Sequence, residues 1–110
     1  MVDKININRF DIVLVRLNPT IGSEIQKTRP CIIISPDEMN VLKTVIVAPM
    51  TSKGFNFVFR PEIKFEGKKG LVLLDQIRAI DKSRIVKVIG KVDKNKAIKI
   101  SKMLNEMFEY

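Results

Sequence analysis

The chain has little of the side-chain chemistry that most enzymes use. Its 110 residues include no histidine, no tryptophan and one cysteine, Cys31. Without histidine, neither the common zinc sites nor the histidine acid–base pairs of many hydrolases can form. Cys31 heads the apolar run Cys31–Ile34 and has no histidine to activate it, so we interpret it as a small core residue. Any catalysis must use carboxylates, hydroxyls, lysine or arginine, and we expect neither a metal site nor a cofactor.

Long hydrophobic runs are also missing. The longest apolar runs have four or five residues, which is too short to span a membrane. The start Met1-Val2-Asp3-Lys4 leads into polar residues instead of the apolar stretch of a secretory signal, so we expect a cytoplasmic protein. A chain of this length fits a single domain, 1–110, with a core small enough to favour association into a homo-oligomer.

The charge is strongly unbalanced. Twenty lysines and arginines against twelve aspartates and glutamates leave a net charge of +8. This surplus favours a polyanionic partner, either a nucleic acid or a strongly acidic protein. Charge indicates the class of partner and says nothing about the reaction.

Short β-rich runs dominate the first ninety residues. Ile12–Val15 and Val45–Ala48 are apolar at every position, which indicates strands that are covered on both faces. Glycine, proline, asparagine and lysine separate the runs. The pattern predicts a compact antiparallel sheet or barrel whose strands are Asp11–Leu17, Cys31–Ser35, Thr44–Pro49, Phe55–Arg60, Leu71–Asp75 and Arg84–Lys91.

Helical spacing replaces the strand pattern near the end of the chain. Asp93 is the predicted N-cap, and a short turn of helix is predicted near Pro36–Leu42. The apolar residues of the final helix form one stripe that we expect to pack on the sheet, made of Ala97, Ile100, Met103, Leu104, Met107 and Phe108.

One polar segment connects the apolar runs Ile12–Val15 and Cys31–Ile34 and is richer in functional groups than a simple connection requires. Asn18-Pro19-Thr20-Ile21-Gly22-Ser23-Glu24 is followed after two residues by Lys27-Thr28-Arg29-Pro30. Asn-Pro-Thr and an isolated glycine are ordinary turn residues, and an arginine before proline can simply be a solvated residue. A carboxylate, several hydroxyls and two cations in one loop are equally the composition of a functional site.

The order of several short motifs resembles the MazF/PemK family of toxin endoribonucleases over nearly the whole chain. Each motif alone is unspecific, but the ordered set is hard to produce by chance. The matching segments are Arg9-Phe10-Asp11-Ile12-Val13, Asn18-Pro19-Thr20, Gly22-Ser23-Glu24, Arg29-Pro30, Pro49-Met50-Thr51, Asp75-Gln76-Ile77-Arg78 and Ile80-Asp81.

The resemblance implies a mainly β fold, a small SH3-like, partly open barrel with a C-terminal α-helix and short helical insertions. It also implies a symmetric homodimer, an acidic antitoxin partner and metal-independent cleavage of single-stranded RNA at short sequence motifs. The ribose 2′-hydroxyl attacks the phosphate and leaves a 2′,3′-cyclic phosphate and a 5′-hydroxyl. Such a reaction needs a base, positive charge on the phosphorane and a proton for the leaving oxygen.

Two residues receive catalytic roles from the resemblance, and the base is chosen from the carboxylates of the matched segments. Arg29 matches the essential arginine and would stabilise the transition state, since a guanidinium can bind two phosphate oxygens. Thr51 matches a hydroxyl that contacts the scissile phosphate, although a strand-end threonine can equally bond its own backbone. Glu24 is the preferred base over Asp75, but it could instead pair with Lys27 or Arg29.

Further residues are predicted to contact RNA. They lie in the matched segments or beside them, and comprise Thr20, Ser23, Lys27, Thr28, Ser52, Lys53, Asp75, Gln76 and Arg78. Asp75 and Gln76 have a competing interpretation as a buried network that holds the Gly22–Arg29 loop. The cations Arg60, Lys64, Lys68 and Lys69 are either ordinary surface charges or contacts to the phosphate backbone.

Phe55, Phe57 and Phe59 alternate along a predicted strand, which would point their rings to one side. They could stack on bases, but burial in the core or a dimer interface is favoured in so small a protein. Two other functions remain open for the whole chain: a non-enzymatic CcdB-like toxin that binds a topoisomerase, and an RNA-binding barrel without activity.

Overall fold

The computed structural model describes residues 6–110, so the prediction made from Met1–Lys4 lies outside the described residues. Seven antiparallel strands are followed by one α-helix. The strands are β1 Asp11–Arg16, β2 Thr28–Ile33, β3 Thr44–Thr51, β4 Glu62–Phe65, β5 Lys68–Val72, β6 Arg78–Asp81 and β7 Ile85–Lys91, and the helix α1 spans Lys94–Phe108. Three short 3-10 turns lie at Asp37–Val41, Leu74–Gln76 and Lys82–Arg84.

The sheet curls around its longest strand, β3. The strand order is β4-β5-β3-β2-β1-β7. β6 pairs with the first half of β3, from Thr44 to Val47, whereas β5 pairs with its end at Met50 and Thr51. Because one strand serves two partners on the same side, the sheet bends into the partly open barrel that was predicted.

The two ends of the strand path meet through side chains. Gly90 of β7 lies against the ring of Phe65 of β4, so closely that a Cβ atom at Gly90 would be 2.7 Å from Phe65 Cε1. The absence of a side chain at this position therefore lets the β4–β5 hairpin close over the barrel.

Both faces of the central strands are buried, as their continuous apolar runs predicted. Ile12, Ile32 and Ala48 belong to one core cluster, which α1 covers with Ile100 and Leu104. Alternate residues of the same strands, such as Val13 and Val47, belong to a second cluster on the other face. Within residues 6–110, every helix is too short or too polar to cross a membrane.

The final helix begins where the sequence predicts. Asp93 is the N-cap, and its Oδ1 accepts a hydrogen bond from Lys96 N at 2.9 Å. Ala97, Ile100 and Leu104 are buried, whereas Phe108 at the end of the predicted stripe is 68% exposed. The predicted helical turn near Pro36–Leu42 is the 3-10 turn at Asp37–Val41.

One predicted strand is wrong and two strands were missed. Residues 55–60 form an irregular loop, because Gly54 turns the chain with φ +127° and the phenylalanine rings gather around Arg60. β4 and β6 were missed because each has only four residues and two of the four are charged. The predicted strand Leu71–Asp75 is displaced: β5 ends at Val72, and Leu74–Gln76 is a 3-10 turn.

Candidate functional site

Arg29 and Thr51 lie near the ends of two paired strands and line the same groove. β2 and β3 are antiparallel, with Cys31 opposite Pro49. Arg29 of β2 lies two residues before Cys31, and Thr51 of β3 lies two residues after Pro49. Both residues are half-buried, and both line one surface groove of about 260 Å³. The pairing of two strands thus brings together two residues that are distant in the sequence.

The remainder of the groove comes from the strand ends and from the β4–β5 hairpin. Pro30, Met50 and Gly70 contribute apolar surface beside the Arg29–Thr51 pair. Phe65, Glu66, Lys68 and Lys69 form the opposite wall, and Ser52 continues the groove beyond Thr51. The groove therefore combines polar groups and three cations, Arg29, Lys68 and Lys69, with apolar surface.

Arg29 keeps most of its guanidinium available. Its Nε donates to the carbonyl oxygen of Gln26 at 3.2 Å, which fixes the plane of the group. Among residues 6–110 no carboxylate forms an ion pair with it, and its terminal amino groups have no hydrogen-bond partner there. This arrangement leaves the two Nη groups for a bidentate contact with an anion.

The Thr51 hydroxyl is oriented by its own turn. Its Oγ1 accepts a hydrogen bond from Lys53 N at 3.1 Å. A hydroxyl that already accepts one bond can still donate its own proton. The local bond that was predicted as the structural alternative for Thr51 is therefore present, and it is compatible with donation into the groove.

Glu24 lies outside the residues that line the groove. The side chain is exposed, and its Oε1 accepts from Ile21 N at 2.7 Å within the same turn. Neither of the alternative ion pairs of Glu24, with Lys27 or with Arg29, is present, since the one ion pair among residues 6–110 joins Arg60 to Asp75. The Glu24 carboxylate binds the backbone N–H of Ile21 instead.

The loop that carries Thr20, Ser23 and Lys27 is held together by Asn18. Its Oδ1 accepts from Lys27 N at 3.1 Å and from Thr20 Oγ1 at 3.3 Å. Lys27 adopts φ 72°, which turns the chain into β2. Ser23, Lys27, Thr28 and Lys53 are exposed and Thr20 is half-buried, and these five residues are outside the groove lining.

Asp75, Gln76 and Arg78 all have partners within the protein. Asp75 accepts two hydrogen bonds from Arg60, each 2.9 Å long. Gln76 Oε1 accepts from Ile25 N at 2.9 Å, and Arg78 Nη1 donates to Leu17 O at 3.3 Å. The hydrogen bonds from Arg60 hold the pKa of Asp75 below its ordinary value.

Cys31 and the three phenylalanines of residues 55–60 lie in different environments. Cys31 is fully buried, and burial raises the pKa of its thiol to about 12 against a smaller lowering by the charge of Arg78, so it is the predicted inert core residue. The three phenylalanine rings do not share one side of a strand. Phe59 packs on the core, Phe57 meets it edge to face at 6.3 Å, and Phe55 is 70% exposed over the Arg60 guanidinium.

The hairpin wall of the groove escaped sequence reasoning. Lys68 and Lys69 were predicted as either surface charges or contacts to the phosphate backbone, but they were not assigned to the Arg29–Thr51 site, because β4 was not recognised. The sequence carries a signal for this turn, because a polar residue followed by glycine, here Glu66-Gly67, favours a two-residue hairpin turn. In the structure both residues have the positive φ that such a turn requires, 52° and 77°.

Comparisons with known proteins agree with the motif order. The family model for PemK-like, MazF-like toxins of type II toxin–antitoxin systems matches residues 8–108. Endoribonuclease MazF of Staphylococcus epidermidis is 36% identical over 107 residues, which cover 90% of this chain and 88% of the relative.

Solved structures agree with the fold. MazF from Deinococcus radiodurans superposes with a TM-score of 0.83 at 22% identity, covering 98% of this chain and 100% of that one. An endoribonuclease in complex with its cognate antitoxin, from a mycobacterial species, gives a TM-score of 0.76 at 17% identity, with 92% and 93% covered. The predicted family and fold are confirmed, and the chain belongs to the PemK/MazF family of toxins from type II toxin–antitoxin systems.

Proposed function

We propose that this chain is a toxin endoribonuclease that cleaves single-stranded RNA at short sequence motifs without a metal ion. The observation that carries the proposal is the convergence of Arg29 and Thr51 on one groove, with the guanidinium free of any carboxylate among residues 6–110. The 36% identity to a protein named endoribonuclease supports it. A protein that only binds RNA or a topoisomerase has no need for an arginine and a hydroxyl directed at one phosphate.

The proposed reaction is an internal transesterification. The ribose 2′-oxygen loses its proton to a base and attacks the adjacent phosphorus. The bond from phosphorus to the 5′-oxygen then breaks, and that oxygen takes up a proton. The products are a 2′,3′-cyclic phosphate on one fragment and a 5′-hydroxyl on the other.

Arg29 and Thr51 stabilise the charge that builds up on phosphorus. The two Nη groups of Arg29 bind non-bridging oxygens, and Thr51 donates its hydroxyl proton to the same phosphate. Arg29 also lies close enough to the phosphate in this scheme to protonate the leaving oxygen. It is not the base, because a guanidinium carries only hydrogen-bond donors and offers no acceptor for the proton.

Glu24 is the proposed base. Asp75 is the weaker candidate, because Arg60 lowers the pKa of that carboxyl and both of its oxygens are engaged. For Glu24 to act, its carboxylate must leave the N–H of Ile21 and turn toward the groove when RNA is bound. A Glu24→Gln variant, which cannot accept the proton, should lose at least about tenfold in kcat with little change in KM.

The remaining RNA contacts are proposed along both sides of the groove. Lys68 and Lys69 bind backbone phosphates on the hairpin side, since they line the groove with Arg29. Ser52 and Lys53, which directly follow Thr51 in the chain, are proposed to contact RNA beside it. Thr20, Ser23 and Lys27 of the loop before β2, with Thr28 at the start of that strand, would contact nucleotides beyond the groove lining.

Two protein partners and a location complete the proposal. A second copy of the chain forms a homodimer, and an antitoxin with an acidic, partly disordered segment binds the basic groove. The net charge of +8 and the antitoxin complex of a structural relative support the second partner. The single domain acts in the cytoplasm, where single-stranded mRNA is available.

One experiment tests the enzymatic proposal. Purified protein is incubated with a long single-stranded RNA in excess chelator, and the fragment ends are mapped. We expect discrete fragments with 5′-hydroxyl ends from the wild type and none from Arg29→Ala. Arg9→Ala is the matched control, because Arg9 is exposed, stacks on Phe10 and does not line the groove. Intact RNA after incubation with folded wild-type protein would contradict the proposal and favour a non-enzymatic toxin.

A further inference from the structure

Two loops flank the proposed catalytic residues in the chain, one before Arg29 and one after Thr51. The first loop, residues 17–27, ends two positions before Arg29. The second loop, residues 52–61, begins immediately after Thr51. Gln26 O of the first loop accepts from Arg29 Nε at 3.2 Å, and Lys53 N of the second loop donates to Thr51 Oγ1 at 3.1 Å, so each loop helps to orient one of the two side chains.

A single 3-10 turn, Leu74–Gln76, contacts both loops with adjacent side chains. Gln76 Oε1 accepts from Ile25 N of the first loop at 2.9 Å. Asp75 binds Arg60 of the second loop through two 2.9 Å hydrogen bonds. The turn itself is fixed, because Leu74 is fully buried and Gln76 N donates to Leu73 O at 3.0 Å.

The hydrogen bonds to the second loop extend into its aromatic residues. The guanidinium of Arg60 lies 4.9 Å from the ring centre of Phe55 and 5.9 Å from that of Phe57. Asp75 therefore orients a stacked group that includes the most exposed ring of the loop. A carboxylate in this position would repel an RNA phosphate, which argues against direct contact between Asp75 and the backbone.

The first loop is also held at its start by the segment that follows the turn. Arg78 donates to Leu17 O at 3.3 Å, and Arg84 donates to the carbonyl oxygens of Arg16 and Asn18. Gln76 is the one contact of this set that reaches the far side of the loop, close to Arg29. Its role is consequently distinct from that of the two arginines.

From this arrangement we infer that Asp75 and Gln76 are positioning residues that fix the two loops relative to each other, and so hold Arg29 and Thr51 in register, instead of reading RNA. The inference rests on the proposed endoribonuclease function. It requires the side-chain oxygen of Gln76, which accepts the bond from Ile25, and not the amide nitrogen that a base-reading role would also use.

The test compares variants that keep or remove the accepting oxygen. Gln76→Ala removes it, whereas Gln76→Glu retains an oxygen at the same place. In the RNA-free protein, the Ile25 amide should exchange its hydrogen about three- to tenfold faster in Gln76→Ala, and at the wild-type rate in Gln76→Glu. Asp75→Asn should accelerate exchange in residues 52–60 by a similar factor. Glu62→Gln, an exposed carboxylate on β4, is the control for removing one charge.

Kinetics on a mapped RNA site completes the test. Gln76→Ala should lower kcat about tenfold or more with KM nearly unchanged, and Gln76→Glu should restore kcat. A raised KM with normal kcat in Gln76→Ala, or unchanged Ile25 exchange, would overturn the inference while leaving the endoribonuclease proposal intact. If the wild type cleaves no RNA, the function fails, and the exchange rates still decide whether the turn fixes the loops.

Discussion

Replacing Thr51 by valine separates a catalytic role from a structural one. Valine has nearly the shape of threonine, so the change removes the hydroxyl and little else. Two effects follow: the Lys53 N–H loses its acceptor, and the groove loses a hydrogen-bond donor. Loss of the first bond at this partly exposed site costs about 0.5–1.5 kcal/mol of folding stability. Loss of a donor that acts in the transition state lowers kcat by about 100- to 1000-fold, or about 2.7–4 kcal/mol.

The two effects differ enough for kinetics to distinguish them. A domain stable by about 5–15 kcal/mol stays almost entirely folded after losing 1 kcal/mol, so unfolding cannot account for a 100-fold loss. We expect Thr51→Val to lower kcat by at least about 100-fold with KM within threefold of wild type.

The assay uses a short RNA that contains one mapped cleavage site between a fluorophore and a quencher, with folding followed by circular dichroism. Thr51→Ser keeps the hydroxyl and should retain kcat within about tenfold. Thr44→Val, at the exposed start of β3, is the control for losing a threonine hydroxyl from the same strand. Near-normal kcat in Thr51→Val, or equal losses in the valine and serine variants, would refute the reasoning.

Three further predictions concern binding, pH and packing. Replacing Lys68 and Lys69 together by glutamine should make the slope of log KM against log salt shallower by about 1.4, as expected for two lost phosphate contacts. Replacing Lys99 and Lys102, on the exposed side of α1, by glutamine should leave this slope unchanged. Arg60 lowers the pKa of Asp75 in the folded state below its ordinary value of 3.8. The ion pair is therefore intact above pH 3.8 and is lost as the pH falls through the lowered pKa. Hydrogen exchange in residues 52–60, corrected for its intrinsic rate, should rise only below pH 3.8. A rise that begins above pH 3.8 would contradict the role of this ion pair. Gly90→Ala should lower the free energy of unfolding, measured in urea, by about 1–3 kcal/mol, because the new methyl group collides with Phe65. In the control Gly70→Ala, the methyl group meets no atom closer than 3.5 Å, so the free energy of unfolding should not fall.

Much of the fold is predictable because local patterns and tertiary packing agree. The stripe from Ala97 to Leu104 faces the core, and Asp93 caps the helix that carries it. The apolar runs of β1 and β3 predict burial on both faces, and two core clusters provide it. In these segments the sequence periodicity is a direct consequence of what the side chains contact.

The second loop is unpredictable from local pattern for a physical reason. Alternating phenylalanines are typical of a strand, but here Phe55 and Phe57 stack on Arg60, whose carboxylate partner Asp75 lies fifteen positions away. A contact over such a distance leaves no periodic trace in the sequence. The same holds for Gln76, whose partner Ile25 is fifty-one positions away.

The candidate site is predictable only in part. Arg29 and Thr51 were identified through family motifs, and the pairing of β2 with β3 close to both residues explains why two separated motifs belong to one site. Lys68 and Lys69 were not assigned to it, because the closure of the β4–β5 hairpin over the barrel depends on the contact between Phe65 and Gly90. The position of Glu24 beside Ile21, outside the groove, could not be deduced from its place in the motif.

The most direct test of the central claim is a crystal structure of the protein with an RNA whose cleavage-site 2′-hydroxyl is methylated, so that the substrate stays intact. We expect one phosphate, the scissile one, to lie within hydrogen-bond distance of both the Arg29 guanidinium and the Thr51 hydroxyl. If Arg29 and Thr51 contact different phosphates, or if the RNA lies outside the groove between them, the account is contradicted.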